Sequence, residues 1–203
     1  MDLHADSLKW IDAHQDKLRE VNRKIWMLAE PPLKEYQSSV TLVHWLEENG
    51  FEVQKGVGGL PTAFAASFGD GSPVIGILAE FDALPGISQE ATAERKLRAG
   101  TIAAHACGHS LFGTASTAAA IAIKEAMARS KAKGTIRLYG SPAEETGEGK
   151  MYMAMAGAYS DADVLLAWHP STITQSAFEY SKALLSVKFT FHGVSAHAST
   201  TPH

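Results

Sequence analysis

The chain contains a continuous apolar run, Val74-Ile75-Gly76-Ile77-Leu78-Ala79, which is followed directly by Glu80-Phe81-Asp82. An apolar run of this length without alternation is typical of a strand that is buried on both faces of a sheet. Two similar strands are predicted at residues 135–139 and 163–168, with helical patterns between the strands. Strands that alternate with helices predict an α/β fold with a mostly parallel sheet and flanking helices.

The other elements are predicted from the hydrophobic period and from turn residues. Apolar residues recur at helical spacing over residues 6–29, which predicts one long helix that ends before Pro31-Pro32. The remaining predictions are helices at about 35–49, 111–129 and just after Gly149, and strands at 51–55 and 63–68. Further extended structure is predicted over 178–192 from the alternation of Leu185, Val187, Phe189 and Phe191.

Composition and charge exclude several classes of protein. Of the 203 residues, 45% are hydrophobic and 20% are charged, which is ordinary for a globular protein and unlike a disordered chain. The net charge is −4, so no basic field is available to hold nucleic acid. No apolar stretch is long enough to cross a bilayer, and the N-terminus does not resemble a signal peptide. With a single cysteine, these features predict a cytoplasmic protein without nucleic-acid or membrane partners.

Polar side chains follow three of the predicted strands at the point where each strand ends. Glu80 and Asp82 follow the first, Glu144-Glu145 follows the second and His169 follows the third. Because ligands bind beyond the carboxyl ends of strands in open α/β sheets, these groups are predicted to meet at one edge. Cys107-Gly108-His109 lies in a long loop just before the alanine-rich helix and is the remaining polar cluster.

The residue types in these clusters fit a metal site. Thiolate, imidazole and carboxylate are the usual ligands of zinc, and imidazole with carboxylate also suits manganese. Cys107 and His109 are two residues apart, so both can face one ion from an extended segment. Glu144 and Glu145 point opposite ways if their backbone is extended. One could then bind metal while the other takes a proton from water, as metal-assisted hydrolysis requires.

Each of these residues also has a structural interpretation. A buried cysteine is usually a small hydrophobic side chain, and adjacent glutamates usually face solvent or begin a helix. His169 could complete a turn before Pro170, and His105 is interpreted as structural. Three further histidines lie on predicted helices and are expected at the surface: His4, His14 and His44.

Five motifs occur in a fixed order: residues 79–85, 105–109, 141–145, 168–170 and 193–198. They read Ala-Glu-Phe-Asp-Ala-Leu-Pro, His-Ala-Cys-Gly-His, Ser-Pro-Ala-Glu-Glu, Trp-His-Pro and Gly-Val-Ser-Ala-His-Ala. Over nearly the whole chain, this set resembles the M20 metallopeptidase and amidohydrolase family. The run over 81–89 and the Trp-His-Pro step resemble the aminobenzoyl-glutamate branch of that family.

The resemblance implies a zinc-peptidase-like catalytic domain that holds two divalent ions, Zn or Mn. The implied metal ligands are Cys107, His109, Glu145 and His169. It further implies hydrolysis of the amide bond of an N-acyl amino acid, a small molecule, with p-aminobenzoyl-glutamate as the favoured substrate.

The resemblance also implies roles for three residues that are not ligands. Glu144 would be the general base, and Asp82 would lie beside the site rather than on the metal. His197 would lie in the lid and stabilise the oxyanion, reaching the partner subunit's site in a homodimer.

The implied domains are residues 1–182, the N-terminal part of the catalytic domain, and 183–203, the start of an α+β lid and dimerisation domain. In the family the chain continues through the lid and returns with a further histidine ligand. The 203-residue chain is therefore expected to be truncated, with weak or absent activity of its own. The alternatives are a related aminoacylase, dipeptidase or carboxypeptidase, a non-catalytic relic of the fold, and a structural domain that binds no metal.

Overall fold

The computed structural model describes residues 2–176 and 183–201. The chain divides into two compact units, Met1–Thr172 and Ile173–His203. In the described residues the helices are α1 (Leu3–Ala13), α2 (Gln15–Leu28), α3 (Tyr36–Glu48), α4 (His109–Ser130) and α5 (Gly149–Met155), with a 3₁₀ turn at Val57–Gly59. The strands are β1 (Glu52–Lys55), β2 (Phe64–Asp70), β3 (Val74–Glu80), β4 (Leu84–Pro85), β5 (Ala103–Ala104), β6 (Gly134–Ser141) and β7 (Val164–Leu166).

Five of these strands form the central sheet, in the order β1-β2-β6-β3-β7. β3 pairs in parallel with β6 on one side and with β7 on the other. β2 is antiparallel to both β1 and β6, so β2 alone runs against the other four strands. The predicted α/β class with a mostly parallel sheet and flanking helices is confirmed.

The helices cover both faces of the sheet because side chains of successive strand residues point to opposite faces. On one face α1–α4 bury a core that includes Ile25, Leu46, Phe64, Ile121 and Leu138. On the other face α5 and the 3₁₀ turn form a smaller core around Val57, Tyr139 and Met153. None of the helices in the described residues is long and apolar enough to cross a membrane.

The single helix predicted over residues 6–29 is wrong, because the structure has two helices that meet at His14. The His14 ring donates from Nδ1 to the carbonyl oxygen of Trp10 at 2.7 Å. The backbone N–H of His14 instead donates to Ile11, three residues back. The side chain therefore occupies the Trp10 carbonyl, which the backbone N–H of His14 would use in an uninterrupted helix, and α1 ends there.

Extended structure is predicted over 178–192, and the structure describes only residues 183–192 of this range. Residues 177–182 lie outside the described residues, so the predicted domain boundary between 182 and 183 stays a prediction. Over 183–192 the structure has no strand, and Leu185, Phe189 and Phe191 are mostly exposed. Alternation favours a strand only when a neighbouring strand accepts its backbone hydrogen bonds, and these residues have no such partner among the described residues.

Truncation of a central core side chain tests this packing. Leu138 is fully buried in β6, and Leu138→Ala is expected to lower the free energy of unfolding by about 2–5 kcal/mol. Val40→Ala removes an apolar side chain that is 67% exposed, and we expect a change within about 0.5 kcal/mol. Urea denaturation measures both, and equal effects of the two variants would contradict the assigned core.

Candidate metal centre

The polar clusters meet at the carboxyl edge of the parallel strands, as the sequence predicts. Glu80 ends β3 directly opposite Ser141, which ends β6. Asp82 follows β3 by two residues, Glu144 follows β6 by three, and His169 follows β7 by three. Parallel strands bring these three segments to one edge, where the N-terminus of α4 presents His109.

His109 lies at the centre of the cluster and is completely buried. Its Nδ1 atom lies 3.0 Å from Asp82 Oδ1, and its Nε2 atom lies 3.2 Å from Glu80 Oε2. The carboxylates of Glu144 and Glu145 are each 3.7 Å from the ring, at Nε2 and Nδ1 respectively. Burial acts to lower the pKa of His109, but the bond to Asp82 and the charges of the carboxylates outweigh it and raise the pKa.

Two groups of side chains could each hold a metal ion, and His109 belongs to both. The first group is Cys107, His109 and His169, and the second is Glu80, His109 and Glu144. Within each group the ligand atoms lie within 4.8 Å of one another. The structure thus brings together three of the four predicted ligands in one group, and it places the fourth, Glu145, against the His109 ring.

Buried atoms without hydrogen-bond partners show that the cluster fits a cation. In the part of the chain that the structure describes, these atoms include Glu80 Oε2, His109 Nε2 and Glu145 Oε1. Glu80 Oε2 and His109 Nε2 are close but do not meet the geometry of a hydrogen bond. A buried polar atom without a partner is unfavourable, and a divalent cation would satisfy these carboxylate oxygens and the imidazole nitrogen together.

The Cys107 thiol lies within ligand distance of His109 and His169, beside the same carboxylates. Burial, followed by the nearby carboxylate of Glu145 and the charges of Glu144 and Asp82, raises the pKa of Cys107 to about 11. The thiol is therefore protonated at neutral pH in these surroundings. A metal ion would supply the positive charge that a thiolate ligand needs.

Gly108 brings the loop of Cys107 against the loop of His169. Its backbone is left-handed, with φ of 77°, and a Cβ atom there would lie 3.0 Å from the ring of Pro170. The indole of Trp168 also donates to Ser116 Oγ of α4 at 3.1 Å. These contacts hold the segment after β7 beside the N-terminus of α4, so that His169 lies near His109.

Asp82 contacts two of the predicted ligands. Its Oδ1 accepts from the His109 ring, and its Oδ2 accepts from the backbone N–H of Glu145 at 2.9 Å. Because Asp82 accepts the hydrogen bond from Nδ1, the Nε2 atom of His109 is available to the other side chains of the cluster. This is the arrangement of a carboxylate that orients a histidine ligand.

The extended backbone assumed for Glu144 and Glu145 is wrong. The pair lies in a turn over residues 144–147 that follows Ala143, whose φ is 53°. The two carboxylates nevertheless approach different nitrogens of the His109 ring. The turn is closed by Gly149, where a Cβ atom would collide with the carbonyl of Pro142.

The sequence predicted that Glu80 lies at this edge but gave it no role, and it did not predict that Lys150 belongs to the cluster. Burial raises the pKa of Glu80 overall, although the Lys150 ammonium, which forms a salt bridge with it, acts to lower the pKa. The position of Glu80 at the end of a buried strand was a signal that it lies at the site. The sequence contains no comparable signal for Lys150, which reaches Glu80 only because α5 packs beside the sheet.

The remaining predicted residues lie elsewhere. His105 is buried, its Nε2 bonds to the carbonyl of Ile25 at 3.1 Å, and burial lowers its pKa to about 4. The three histidines expected at the surface, His4, His14 and His44, are exposed. His197 lies in the second unit, where its Nδ1 is 2.8 Å from Ser199 Oγ, and its predicted role stays a prediction.

Comparison with known proteins identifies the class to which this fold and cluster belong. The sequence pattern of peptidase family M20/M25/M40 matches residues 76–195, which is more than half of the chain. The chain therefore belongs to peptidase family M20/M25/M40. It is 40% identical to a subunit of the p-aminobenzoyl-glutamate hydrolase of Escherichia coli, over 95% of its own length and 40% of that protein. It is 30% identical to human Xaa-Arg dipeptidase over 98% of its length and 46% of that protein.

Solved structures show the same fold. A dinuclear metal-binding M20 peptidase of Bacillus subtilis matches with a TM-score of 0.62 at 29% identity, over 76% of this chain and 42% of that one. An aminobenzoyl-glutamate utilization protein of Klebsiella pneumoniae also matches with a TM-score of 0.62, at 16% identity, over 82% of this chain and 46% of that one. The chain thus spans less than half the length of these relatives.

A substitution at Gly149 tests the turn that carries Glu144 and Glu145. Gly149→Ala is expected to push the turn away from Pro142 and to lower the free energy of unfolding by about 1–3 kcal/mol, as overpacking does. Met151→Ala is the matched control, because Met151 is half exposed on the same helix and should change stability by less than about 0.5 kcal/mol. Chemical denaturation compares them, and a fully stable Gly149→Ala variant would show that the turn is not closely packed.

Proposed function

We propose that this chain belongs to a metal-dependent amidohydrolase that cleaves the amide bond of N-acyl amino acids, with p-aminobenzoyl-glutamate as the favoured substrate. The observation that carries the proposal is the buried His109 among carboxylates, two of which, Glu80 and Glu145, keep a buried oxygen without a donor in the described residues. Cys107 and His169 lie within ligand distance of His109. The 40% identity to the Escherichia coli p-aminobenzoyl-glutamate hydrolase subunit supports the substrate. Since the chain covers 40% of that relative, we propose the activity for the whole protein.

The proposed ligands are Cys107, His109, Glu145 and His169, for two divalent ions, Zn or Mn. Such ions supply Lewis-acid chemistry, which polarises the scissile carbonyl and makes water more acidic. The description of a relative as dinuclear supports the number of ions. Asp82 keeps the Nδ1–H of His109 in place, so that Nε2 stays free to act as a ligand.

Glu144 is the proposed general base, and its partly exposed carboxylate is accessible to a substrate. It takes a proton from water while the water oxygen bonds to the carbonyl carbon of the substrate. It then gives this proton to the amide nitrogen as the C–N bond breaks, which releases a carboxylic acid and an amine. From p-aminobenzoyl-glutamate, the products are p-aminobenzoate and glutamate.

We also propose a location and an assembly for the protein. The protein acts in the cytoplasm as a homodimer, in which His197 stabilises the oxyanion in the partner subunit's site. A dipeptidase is the second candidate, and it is supported by the 30% identity to Xaa-Arg dipeptidase over nearly the whole chain. A substrate panel on the full-length protein, with p-aminobenzoyl-glutamate and Xaa-Arg dipeptides, distinguishes the two.

The role of Glu144 is tested by Glu144→Gln in the full-length protein. Loss of the base should reduce p-aminobenzoate release about 10²–10⁴-fold while the bound metal is retained, because Glu144 is not one of the four proposed ligands. Glu94→Gln makes the same chemical change on an exposed loop and should leave the rate unchanged. Undiminished turnover in Glu144→Gln would refute the base assignment, and a wild type that binds metal without turnover would favour a non-catalytic relic.

The ligand set is tested by elemental analysis of the purified chain after loading with Zn²⁺ or Mn²⁺. We expect about two ions per chain, as in two-metal sites, and a clear fall in Cys107→Ala. His44→Ala is the control for adventitious binding, because His44 is exposed on α3. A ratio near zero in the wild type would contradict metal binding by this chain alone.

A further inference from the structure

Glu35 is a buried carboxylate outside the metal cluster, at the start of α3. Its Oε1 atom accepts from the backbone N–H groups of Leu33, at 2.9 Å, and Ala143, at 2.8 Å. Its Oε2 atom accepts from the hydroxyl of Thr62 at 3.0 Å. The carboxylate therefore ties together three segments that are distant in sequence.

The contact with Ala143 matters because Ala143 begins the turn of Glu144 and Glu145. Ala143 is fully buried and left-handed, a conformation that costs free energy for a residue other than glycine. Its carbonyl accepts from the backbone N–H of Glu148 at 3.1 Å, which closes the turn from the other end. The N–H of Ala143 has its partner in Glu35, so the strained start of the turn depends on that carboxylate.

The turn is thus fixed at two places by acids that lie on different elements. Asp82 accepts from the N–H of Glu145, and Glu35 accepts from the N–H of Ala143, two residues earlier. Between the two anchors lies Glu144, the proposed base. A small displacement of Glu35 or Asp82 therefore moves the Glu144 carboxylate relative to His109.

We infer that Glu35 is a positioning residue, which fixes the Glu144–Glu145 turn through the backbone of Ala143 and so sets the geometry of the metal cluster from outside it. The effect on the cluster rests on the proposed function, whereas the effect on the turn does not. Glu35 touches neither the His109 ring nor the proposed ligands in any hydrogen bond that the described residues make, so its influence passes through the backbone.

The Glu35 side chain accepts three hydrogen bonds and forms no salt bridge with the described residues. Burial raises the pKa of Glu35 overall, although its hydrogen bonds with Ala143, Leu33 and Thr62 act to lower it. A glutamine keeps an oxygen for Ala143 and Leu33, and its amide N–H₂ can donate to the hydroxyl of Thr62. Glu35→Gln should therefore preserve the function of the wild-type residue, whereas Glu35→Ala should not.

Glu30 provides a matched control in the same connection between α2 and α3. Its carboxylate also accepts three hydrogen bonds, from the N–H of Gln37 and from the N–H and hydroxyl of Ser38. All three lie on α3, and none leads to the turn after β6. Glu30→Ala therefore removes a comparable set of bonds without disturbing Ala143.

The experiment is hydrogen exchange of the turn, together with calorimetric titration of Zn²⁺, on the wild-type chain and the three variants. Glu35→Ala should accelerate exchange of amides in 143–149 at least about tenfold and weaken Zn²⁺ binding about tenfold, as loss of an outer-shell partner does. Glu35→Gln should restore both, and Glu30→Ala should accelerate exchange only at the start of α3. If Glu35→Ala does not fold, Glu35→Asp withdraws the carboxylate by one methylene and should give the same pattern.

The experiment distinguishes the effect of Glu35 on the turn from its effect on the metal cluster. The positioning role would be overturned if Glu35→Ala exchanged its amides over 143–149 at the wild-type rate. It would also be overturned if Glu30→Ala accelerated exchange over 143–149 as much as Glu35→Ala does. If the variants show the expected exchange pattern but the wild-type chain binds no Zn²⁺, the positioning role is supported and the proposed function is contradicted.

Discussion

The site depends on the parallel alignment of β3 with its two neighbours, β6 and β7. Parallel strands end at the same edge, and the register sets Glu80 opposite Ser141. The segments that follow the strands therefore leave the sheet together and carry their polar residues into one small volume. A slip of one residue in this register would turn each side chain to the opposite face and would separate Glu80 from Ser141.

This arrangement concentrates negative charge where little water can reach it. Four carboxylates surround His109, and Lys150 pairs with one of them. Buried acids are stabilised only by donors or cations. Asp82 uses both oxygens in hydrogen bonds, whereas Glu80 and Glu145 each keep a buried oxygen without a donor among the described residues. Because these two carboxylate oxygens have no donor, binding of a divalent cation should be coupled to the stability of the carboxyl edge of the sheet.

The turn that carries Glu144 and Glu145 is held by side chains from other segments of the chain. The turn of Glu144 and Glu145 belongs to neither a strand nor a helix, so its shape depends on hydrogen bonds from its backbone. Asp82 and Glu35 accept two of these, and the close approach of Gly149 to Pro142 closes the turn. A mechanism that needs a base and a ligand on adjacent residues requires such support, since neither carboxylate is fixed by regular structure.

Local patterns along the chain were enough to predict the α/β class, the approximate positions of most elements and the meeting of the polar clusters at one sheet edge. Hydrophobic period and the order of strands and helices are properties of neighbouring residues, so they can be recognised without coordinates. Family membership followed from ordered motifs for the same reason. The break at His14, the turn at Glu144, the pairing of Glu80 with Lys150, and the bond from Ala143 to Glu35, 108 residues away, emerged only from the folded arrangement. These features depend on which distant groups the folded chain brings together, and no local pattern encodes that.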